Sequence, residues 1–137
     1  MKQKRTIFAA FLAIMLLACS FSAFAAARGQ VIAAGSVTLE KESESSRTLL
    51  IEGDTESHEH SDLVLKIYLD FKPTASGSVS SVKSWNYTKA DSTLLSKSRT
   101  YTATAAGYYR LRGFHSATLS GFGTETLSSD TGWIYVR

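Results

Sequence analysis

Every second residue is apolar along residues 62–72, where the sequence reads DLVLKIYLDFK. These regularly placed apolar residues are Leu63, Leu65, Ile67, Leu69 and Phe71. Because the side chains of a strand point alternately to its two faces, a period of two residues predicts a strand with one buried and one solvated face. A helix would spread the same residues around its circumference, with Lys66 and Asp70 interrupting any apolar stripe. Pro73 ends the predicted strand.

A second alternating stretch, residues 99–117, forms the centre of the C-terminal half. It predicts one strand over 99–104, a tight Ala-Ala-Gly corner and a longer strand over 108–117. In the longer strand Tyr109, Leu111 and Gly113 alternate with Tyr108, Arg110 and Arg112. We assign the first set to the core and the second set to solvent.

Shorter strands separated by turn residues account for the rest of the chain after residue 30. We expect them at 31–39, 47–52, 79–89, 92–96, 124–127 and 132–136, with a hairpin turn at 120–123. The acidic, histidine-rich residues 53–62 are expected to form a loop, and a β-bulge near Lys83 would bring Val82 and Trp85 onto one face. About seven to nine short strands without an amphipathic helix predict an all-β fold, a small antiparallel β-sandwich or barrel.

The first residues of the chain predict an export signal. Basic residues 1–5 precede an apolar run over 6–18. The small residues at 23–25, Ala-Phe-Ala, then match the pattern that signal peptidase recognises. We therefore expect a cleaved signal peptide over 1–25 and one secreted domain over 26–137.

Two other interpretations of the same segment stay open. Residues 6–27 are apolar over enough length to cross a bilayer, which would make them a membrane-spanning helix. Residues 16–19 resemble the lipobox of bacterial lipoproteins, with Cys19 as the lipidated residue and Leu17 as a departure from the pattern. Cys19 is the only cysteine of the chain, so a domain over 26–137 forms no disulfide and depends on its hydrophobic core.

The net charge does not indicate a nucleic-acid partner. The formal charge is +3, and Lys2, Lys4 and Arg5 in the predicted signal peptide account for all of it. Within 26–137 basic and acidic residues are equal in number, twelve of each. Eight of the acidic residues precede residue 63, however, and nine of the basic residues follow the same point. A single basic face is therefore one expectation, and an ordinary mixed surface is the other.

The corner before Tyr109 resembles the tyrosine corner of immunoglobulin-like sandwiches. In that motif a tyrosine two residues before a cysteine bonds through its hydroxyl to the backbone upstream. The resemblance implies that Tyr109 is this tyrosine, that Leu111 takes the place of the cysteine and that Trp85 is the buried tryptophan of the third core strand. Only 26 residues separate Trp85 from Leu111, fewer than that topology uses. Packing of Tyr109 and Trp85 in another β core is the alternative.

The C-terminal third also resembles an uncharacterised family of small exported proteins of Gram-positive bacteria, a domain of unknown function. The residues that carry the likeness are Tyr109, Arg110, Gly113, His115, the Thr-Glu-Thr run at 124–126 and the Thr-Gly pair at 131–132. The resemblance implies export and a β fold, and it implies no activity.

Histidines form the candidate metal site. His58 and His60 lie two residues apart in the acidic stretch, and imidazole with carboxylate suits zinc. Their spacing matches no established zinc signature, and solvated loop histidines are the alternative. A zinc-dependent hydrolase that also uses His115 is a third hypothesis for the function. His115 shares the face of Tyr109, however, which favours a core histidine.

The chain has no nucleophile motif and no phosphate loop, so we expect no enzymatic activity and no cofactor. A binding face remains, formed by Tyr108, Arg110, Arg112, Tyr68 and Lys66. Aromatic and arginine side chains suit glycans, anionic polymers and protein partners, and an ordinary solvated β surface is the alternative. The leading hypothesis is therefore a secreted, non-enzymatic binding module for a cell-wall polymer, a glycan or a protein. A secreted toxin or bacteriocin-like protein is the second hypothesis.

Overall fold

In the computed structural model, which describes residues 31–137, the chain forms one antiparallel sheet of six strands. The strands are β1 (Ile32–Lys41), β2 (Thr48–Lys72), β3 (Ser80–Thr102), β4 (Gly107–Leu119), β5 (Gly123–Asp130) and β6 (Ile134–Val136). Residues 31–137 contain no helix, and hence none that could cross a membrane. The all-β prediction is confirmed. The predicted signal peptide over 1–25 and the anchor at Cys19 lie outside the described residues.

The long strand β2 organises the sheet, because it pairs along both edges. One edge pairs with β3 from Thr48 to Phe71. The other edge pairs first with β1, as far as Ser57, and then with β4, from Asp62 onward. Beyond β4 lie β5 and β6, which pair with different parts of that strand. β3 therefore lies on one side of β2 along its whole length. On the other side of β2, β1 is the neighbour of the first half and β4 is the neighbour of the second half.

The sheet curls, so that the first and second halves of β2 face each other across a concave surface. Alternate residues on this face are buried in both halves of the strand: Leu49, Ile51, Gly53, Thr55, Ser57, Ser61, Leu63, Leu65, Ile67 and Leu69. A Cβ atom added at Gly53 would lie only 2.8 Å from Cδ1 of Ile67, so the two halves of the concave face touch. The bend falls between Glu56 and Ser61, where the register with β3 shifts. The core therefore lies inside the curl, and the other face of β2 and β4 is convex, with Asp70 and Ser116 as its buried residues and most others partly or fully exposed.

Residues 31–137 form six strands, where the sequence predicted seven to nine, and these lie in one curled sheet, so the predicted sandwich is not confirmed. Segments 47–52 and 62–72 join into β2, and the three segments predicted between 79 and 104 join into β3. The predicted loop over 53–62 is wrong, because β2 continues through it and its first residues, from Gly53 to Glu56, pair with β1 and β3 on their two sides. Backbone pairing on both sides holds these polar residues extended despite their low β propensity, and His58 and His60 follow at the bend.

Two details of strand phase were predicted well. The buried positions of the strand over 62–72 are confirmed for Leu63, Leu65, Ile67 and Leu69, all at most 1% exposed. The predicted bulge in β3 is present one residue before Lys83. There Leu69 pairs with Lys83 and Asp70 with Ser81, which leaves the intervening Val82 out of register.

The hydrogen bond of a tyrosine corner is present. The Tyr109 hydroxyl donates to the Ala105 carbonyl at 2.8 Å, and its ring lies 4.9 Å from that of Phe71. Tyr109 and Leu111 are buried, as predicted. Trp85 differs from the prediction because it is only half-buried. It pairs with Ile67 and packs against the core, but it lies on the edge strand β3, which leaves one side open.

Candidate binding face

The five predicted binding residues all lie on the convex face formed by the second half of β2 and by β4. Lys66 pairs with Phe114, Tyr68 with Arg112, Asp70 with Arg110 and Lys72 with Tyr108. Since these residues alternate with the buried ones, their side chains share the outward face. Tyr135 of β6 pairs with Tyr108 and extends the same surface. We call the whole set the basic-aromatic face: Lys66, Tyr68, Asp70, Lys72, Tyr108, Arg110, Arg112, Phe114, Asp130, Trp133 and Tyr135.

Asp70 lies between the two arginines at the centre of this face. Its carboxylate accepts from Nε of Arg112 at 2.6 Å, from Nη2 of Arg112 at 3.0 Å and from Nε of Arg110 at 3.2 Å. The Asp70 side chain is only 1% exposed. Burial raises the pKa of Asp70, but the hydrogen bonds and positive charges of Arg112 and Arg110 outweigh it, so this pKa lies below its ordinary value. Both arginines are therefore held in place and partly neutralised.

Asp130 pairs with the other side of Arg110. Its Oδ2 lies 3.3 Å from Nη1 of Arg110, and its Oδ1 accepts the Gly132 backbone N–H at 2.7 Å. The Asp130 side chain remains 47% exposed. The carboxylate is thus fixed in orientation while still open to solvent.

Aromatic rings cover the cationic groups of the face. The guanidinium of Arg110 lies 4.6 Å from the Trp133 ring and Nζ of Lys72 lies 4.5 Å from the same ring. The Arg112 guanidinium lies 5.5 Å from the Tyr68 ring, which is also within cation–π distance. Further pairs are Lys66 over Phe114 at 5.6 Å and Tyr108 against Tyr135 at 5.1 Å. These contacts order the long side chains before any ligand is bound.

Sequence reasoning missed half of this face. Asp70 has the phase of Lys66 and Tyr68, so a paired arrangement of 62–72 with 108–117 would have placed it among the arginines. Phe114 likewise follows Arg112 at a spacing of two residues. Trp133 could not be placed on this face from strand phase, because the sequence predicted it within a strand over 132–136, whereas β6 begins only at Ile134.

The three histidines do not form one metal site. His58 and His60 are exposed at the bend of β2, and Nδ1 of His60 lies 3.0 Å from the Asp91 carbonyl oxygen. His115 is buried in the core. Within residues 31–137 no three His, Cys, Asp or Glu side chains are grouped so as to hold a metal ion. The arrangement that the zinc-hydrolase hypothesis required is therefore not formed by these residues.

His115 instead joins three strands through two hydroxyl groups. Its Nδ1 lies 2.9 Å from Oγ1 of Thr55 on β2, and its Nε2 lies 2.7 Å from Oγ of Ser129 on β5. Burial lowers the pKa of His115, and the Asp54 carbonyl and carboxylate oppose this only in part. The ring is therefore neutral at physiological pH and serves to tie β2, β4 and β5 together.

We expect the stability of the protein to fall as the pH is lowered through about 6.5, the ordinary pKa of histidine. Because the pKa of His115 is lower in the folded state, the unfolded chain binds the proton first. The stabilisation is complete above the unfolded pKa and is lost below it. Asp70 titrates in a separate window, since its folded pKa is depressed and its contribution is lost only in stronger acid.

Urea denaturation at several pH values between about 5 and about 8 measures this effect. His115→Gln should flatten the pH dependence, whatever it does to the stability at neutral pH. His60→Gln is the matched control, because it removes an exposed histidine at the bend. An unchanged slope in His115→Gln would show that other groups cause the pH dependence.

Comparisons with known proteins give one structural likeness and one family. The chain resembles the crystal structure of the sporulation control protein Spo0M from Bacillus subtilis, with 10% sequence identity and a TM-score of 0.32. The match covers 77% of this chain and 49% of Spo0M, so it spans about half the length of that protein. No curated protein matches the sequence.

The family comparison covers most of the chain. The family of unknown function DUF6147 matches residues 20–132, which include every strand from β1 to β5 and nearly all of the basic-aromatic face. This agrees with the resemblance to an uncharacterised domain that the C-terminal third suggested. The chain therefore belongs to the family of unknown function DUF6147.

Proposed function

We propose that the protein is exported from a Gram-positive bacterium, with residues 1–25 as its signal peptide, and acts outside the cell as a non-enzymatic binding module. The observation that carries this proposal is the basic-aromatic face, which gathers the predicted residues Lys66, Tyr68, Tyr108, Arg110 and Arg112 on adjacent strands. Surfaces that combine tyrosine, tryptophan and arginine are typical of recognition sites. A cell-wall polymer, a glycan or a protein is the ligand class.

The rigidity of the face supports binding rather than general solubility. Arg110 and Arg112 are fixed by Asp70, and their cationic groups also contact aromatic rings. Side chains ordered before binding lose little conformational entropy when a ligand arrives. A merely solvated surface needs no such network.

Co-sedimentation of the purified protein with isolated Gram-positive cell walls tests the proposal. We expect the protein to pellet with the walls, and the double variant Lys66→Gln and Tyr68→Leu to weaken this binding about tenfold. The matched control is Lys97→Gln. Lys97 lies 5.7 Å from the Tyr87 ring, much as Lys66 does from Phe114, but belongs to the other half of the sheet.

The thermal midpoint of each variant must be measured alongside, so that unfolding is not taken for lost binding. Equal binding by the wild type and the folded double variant would remove the basic-aromatic face as the site. If the protein pellets neither with walls nor with any glycan or protein of the cell surface, the proposed function fails as a whole.

A further inference from the structure

The structure assigns a sugar subsite to the surface cavity between β4 and β5, and we propose that its ligand is a neutral, polyhydroxylated glycan unit. This inference rests on the proposed function, because it names the ligand class of the same face. It distinguishes a neutral sugar from the phosphate- or carboxylate-bearing polymers that a basic surface would otherwise suggest.

Two cross-strand pairs build the cavity. Arg112 pairs with Asp130, and Phe114 pairs with Ser128, so the four residues are nearest neighbours on adjacent strands. The cavity has a volume of about 370 Å³ and is lined by these four residues together with Gly113 and Ser129. Ligand sites in proteins begin at roughly this size, which suits one or two sugar rings.

The charges at the cavity disfavour an anion. Arg112 already shares its positive charge with Asp70, through hydrogen bonds from Nε at 2.6 Å and Nη2 at 3.0 Å. The half-exposed carboxylate of Asp130 stands across the strand pair from it. A phosphate or carboxylate group placed here would be repelled by Asp130 and would have to compete with Asp70 for the guanidinium.

A sugar hydroxyl, by contrast, fits both groups. It can donate to the Asp130 carboxylate and accept from the N–H groups of Arg112 that Asp70 leaves unused, since guanidinium carries five donors. Arg112 remains 48% exposed, so these donors can be reached. The Phe114 ring offers an apolar surface for the C–H face of a pyranose, and Ser128 adds a further hydroxyl.

The polar groups of the cavity are already oriented. The Asp130 carboxylate accepts the Gly132 N–H at 2.7 Å and lies 3.3 Å from Nη1 of Arg110. Arg112 is fixed because two of its nitrogens donate to the Asp70 carboxylate. Weak ligands such as neutral sugars profit from such preorganisation, because each side chain that is already fixed spares the cost of ordering it.

The test uses protein expressed from the full-length chain and three immobilised polymers. Chitin and cellulose represent neutral glycans, and heparin–agarose represents a polyanion. We expect retention on at least one neutral polymer at both low and high salt, because hydroxyl contacts and ring stacking are not screened. We expect little retention on heparin–agarose at high salt.

Asp130→Asn should weaken retention on the neutral polymer about tenfold, as expected when a charged hydrogen-bond acceptor is replaced. Asp91→Asn is the matched control. Asp91 is exposed on β3 with a φ of 47°, a conformation that asparagine accepts readily. Phe114→Leu is a second variant that should also weaken retention, and thermal unfolding checks that each variant folds.

Failure of the inference and failure of the proposed function look different in this experiment. Salt-sensitive binding to heparin–agarose without retention on chitin or cellulose would overturn the neutral sugar and leave the proposed function standing. Wall binding that is unchanged in both folded variants, Asp130→Asn and Phe114→Leu, would remove the cavity as the site. Absence of binding to walls and to all three polymers would overturn both proposals.

Discussion

Replacing Arg110 and Arg112 together by methionine is expected to lower the free energy of unfolding by about 3 to 5 kcal/mol, the range found when a buried ion loses its partners. The reason is Asp70, whose side chain is 1% exposed and has these two arginines as its ion-pair partners. Methionine retains much of the aliphatic packing of arginine. The decrease in the free energy of unfolding therefore reports mainly on the Asp70 carboxylate, which is left buried without its ion-pair partners. Urea denaturation at neutral pH measures the difference.

Two controls show whether Asp70 is the cause. Arg99→Met removes an exposed arginine that also contacts an aromatic ring, Tyr87 at 5.5 Å, and should change stability by about 0.5 kcal/mol or less. In the Asp70→Asn background the double arginine replacement should cost markedly less, because no buried charge remains to be compensated. An equal loss in both backgrounds would contradict this account and indicate that the arginines stabilise the sheet by packing alone.

The role of Arg110 and Arg112 in stability limits which variants can test the binding face. Replacing both arginines by alanine or methionine would destabilise the sheet beneath the face. Lost binding in such a variant would therefore not show that the arginines contact the ligand. Arg110 acts chiefly as a positioning residue between Asp70 and Trp133, whereas Arg112 both holds Asp70 and offers its remaining N–H groups to the ligand. Lys66, Phe114 and Asp130 are the better probes, since their removal leaves the Asp70 pairs intact.

Much of this arrangement follows from strand phase alone. A period of two residues sets which side chains share a face, so the burial of Leu65 and Ile67 and the outward position of Arg110 and Arg112 could be predicted from the sequence. The same rule placed Tyr68 and Lys66 outside. Bringing the two sets together required only that 62–72 and 108–117 be neighbours, which the register of β2 with β4 provides.

Other features depend on tertiary context that a single sequence does not display. Residues 53–62 have the composition of a loop, yet they form the middle of β2, because the residues on both sides of the bend pair with neighbouring strands. Contacts between strands also determine which groups bond to His115. The position of His115 on the core face could be predicted from the alternation of residues along its strand. Its partners Thr55 and Ser129, however, lie 60 and 14 residues away in the chain. The bend of β2 brings Thr55 to the ring, and the pairing of β4 with β5, in which Gly113 lies opposite Ser129, brings the second hydroxyl group.

The second large effect on stability is expected at Gly35, because β1 packs directly on the imidazole of His115 at this position. A Cβ atom added at Gly35 would lie 2.6 Å from Cδ2 and 2.9 Å from Nδ1 of His115. The ring cannot retreat, since both nitrogens are hydrogen-bonded and a Cβ atom at Gly113 would meet its Nε2 at 2.7 Å. A side chain at position 35 would therefore have to displace the ring or the backbone of β1.

Gly35→Ala is therefore expected to lower the free energy of unfolding by about 2 to 3 kcal/mol, as overpacking of a rigid core does. Ser36→Ala, an exposed change on the same strand, should cost about 0.5 kcal/mol or less. In the His115→Ala background the ring is gone, so the added methyl group should cost far less, and a double-mutant cycle by urea denaturation measures this coupling. Additive costs in the cycle would mean that the backbone of β1, rather than the His115 ring, demands glycine at this position.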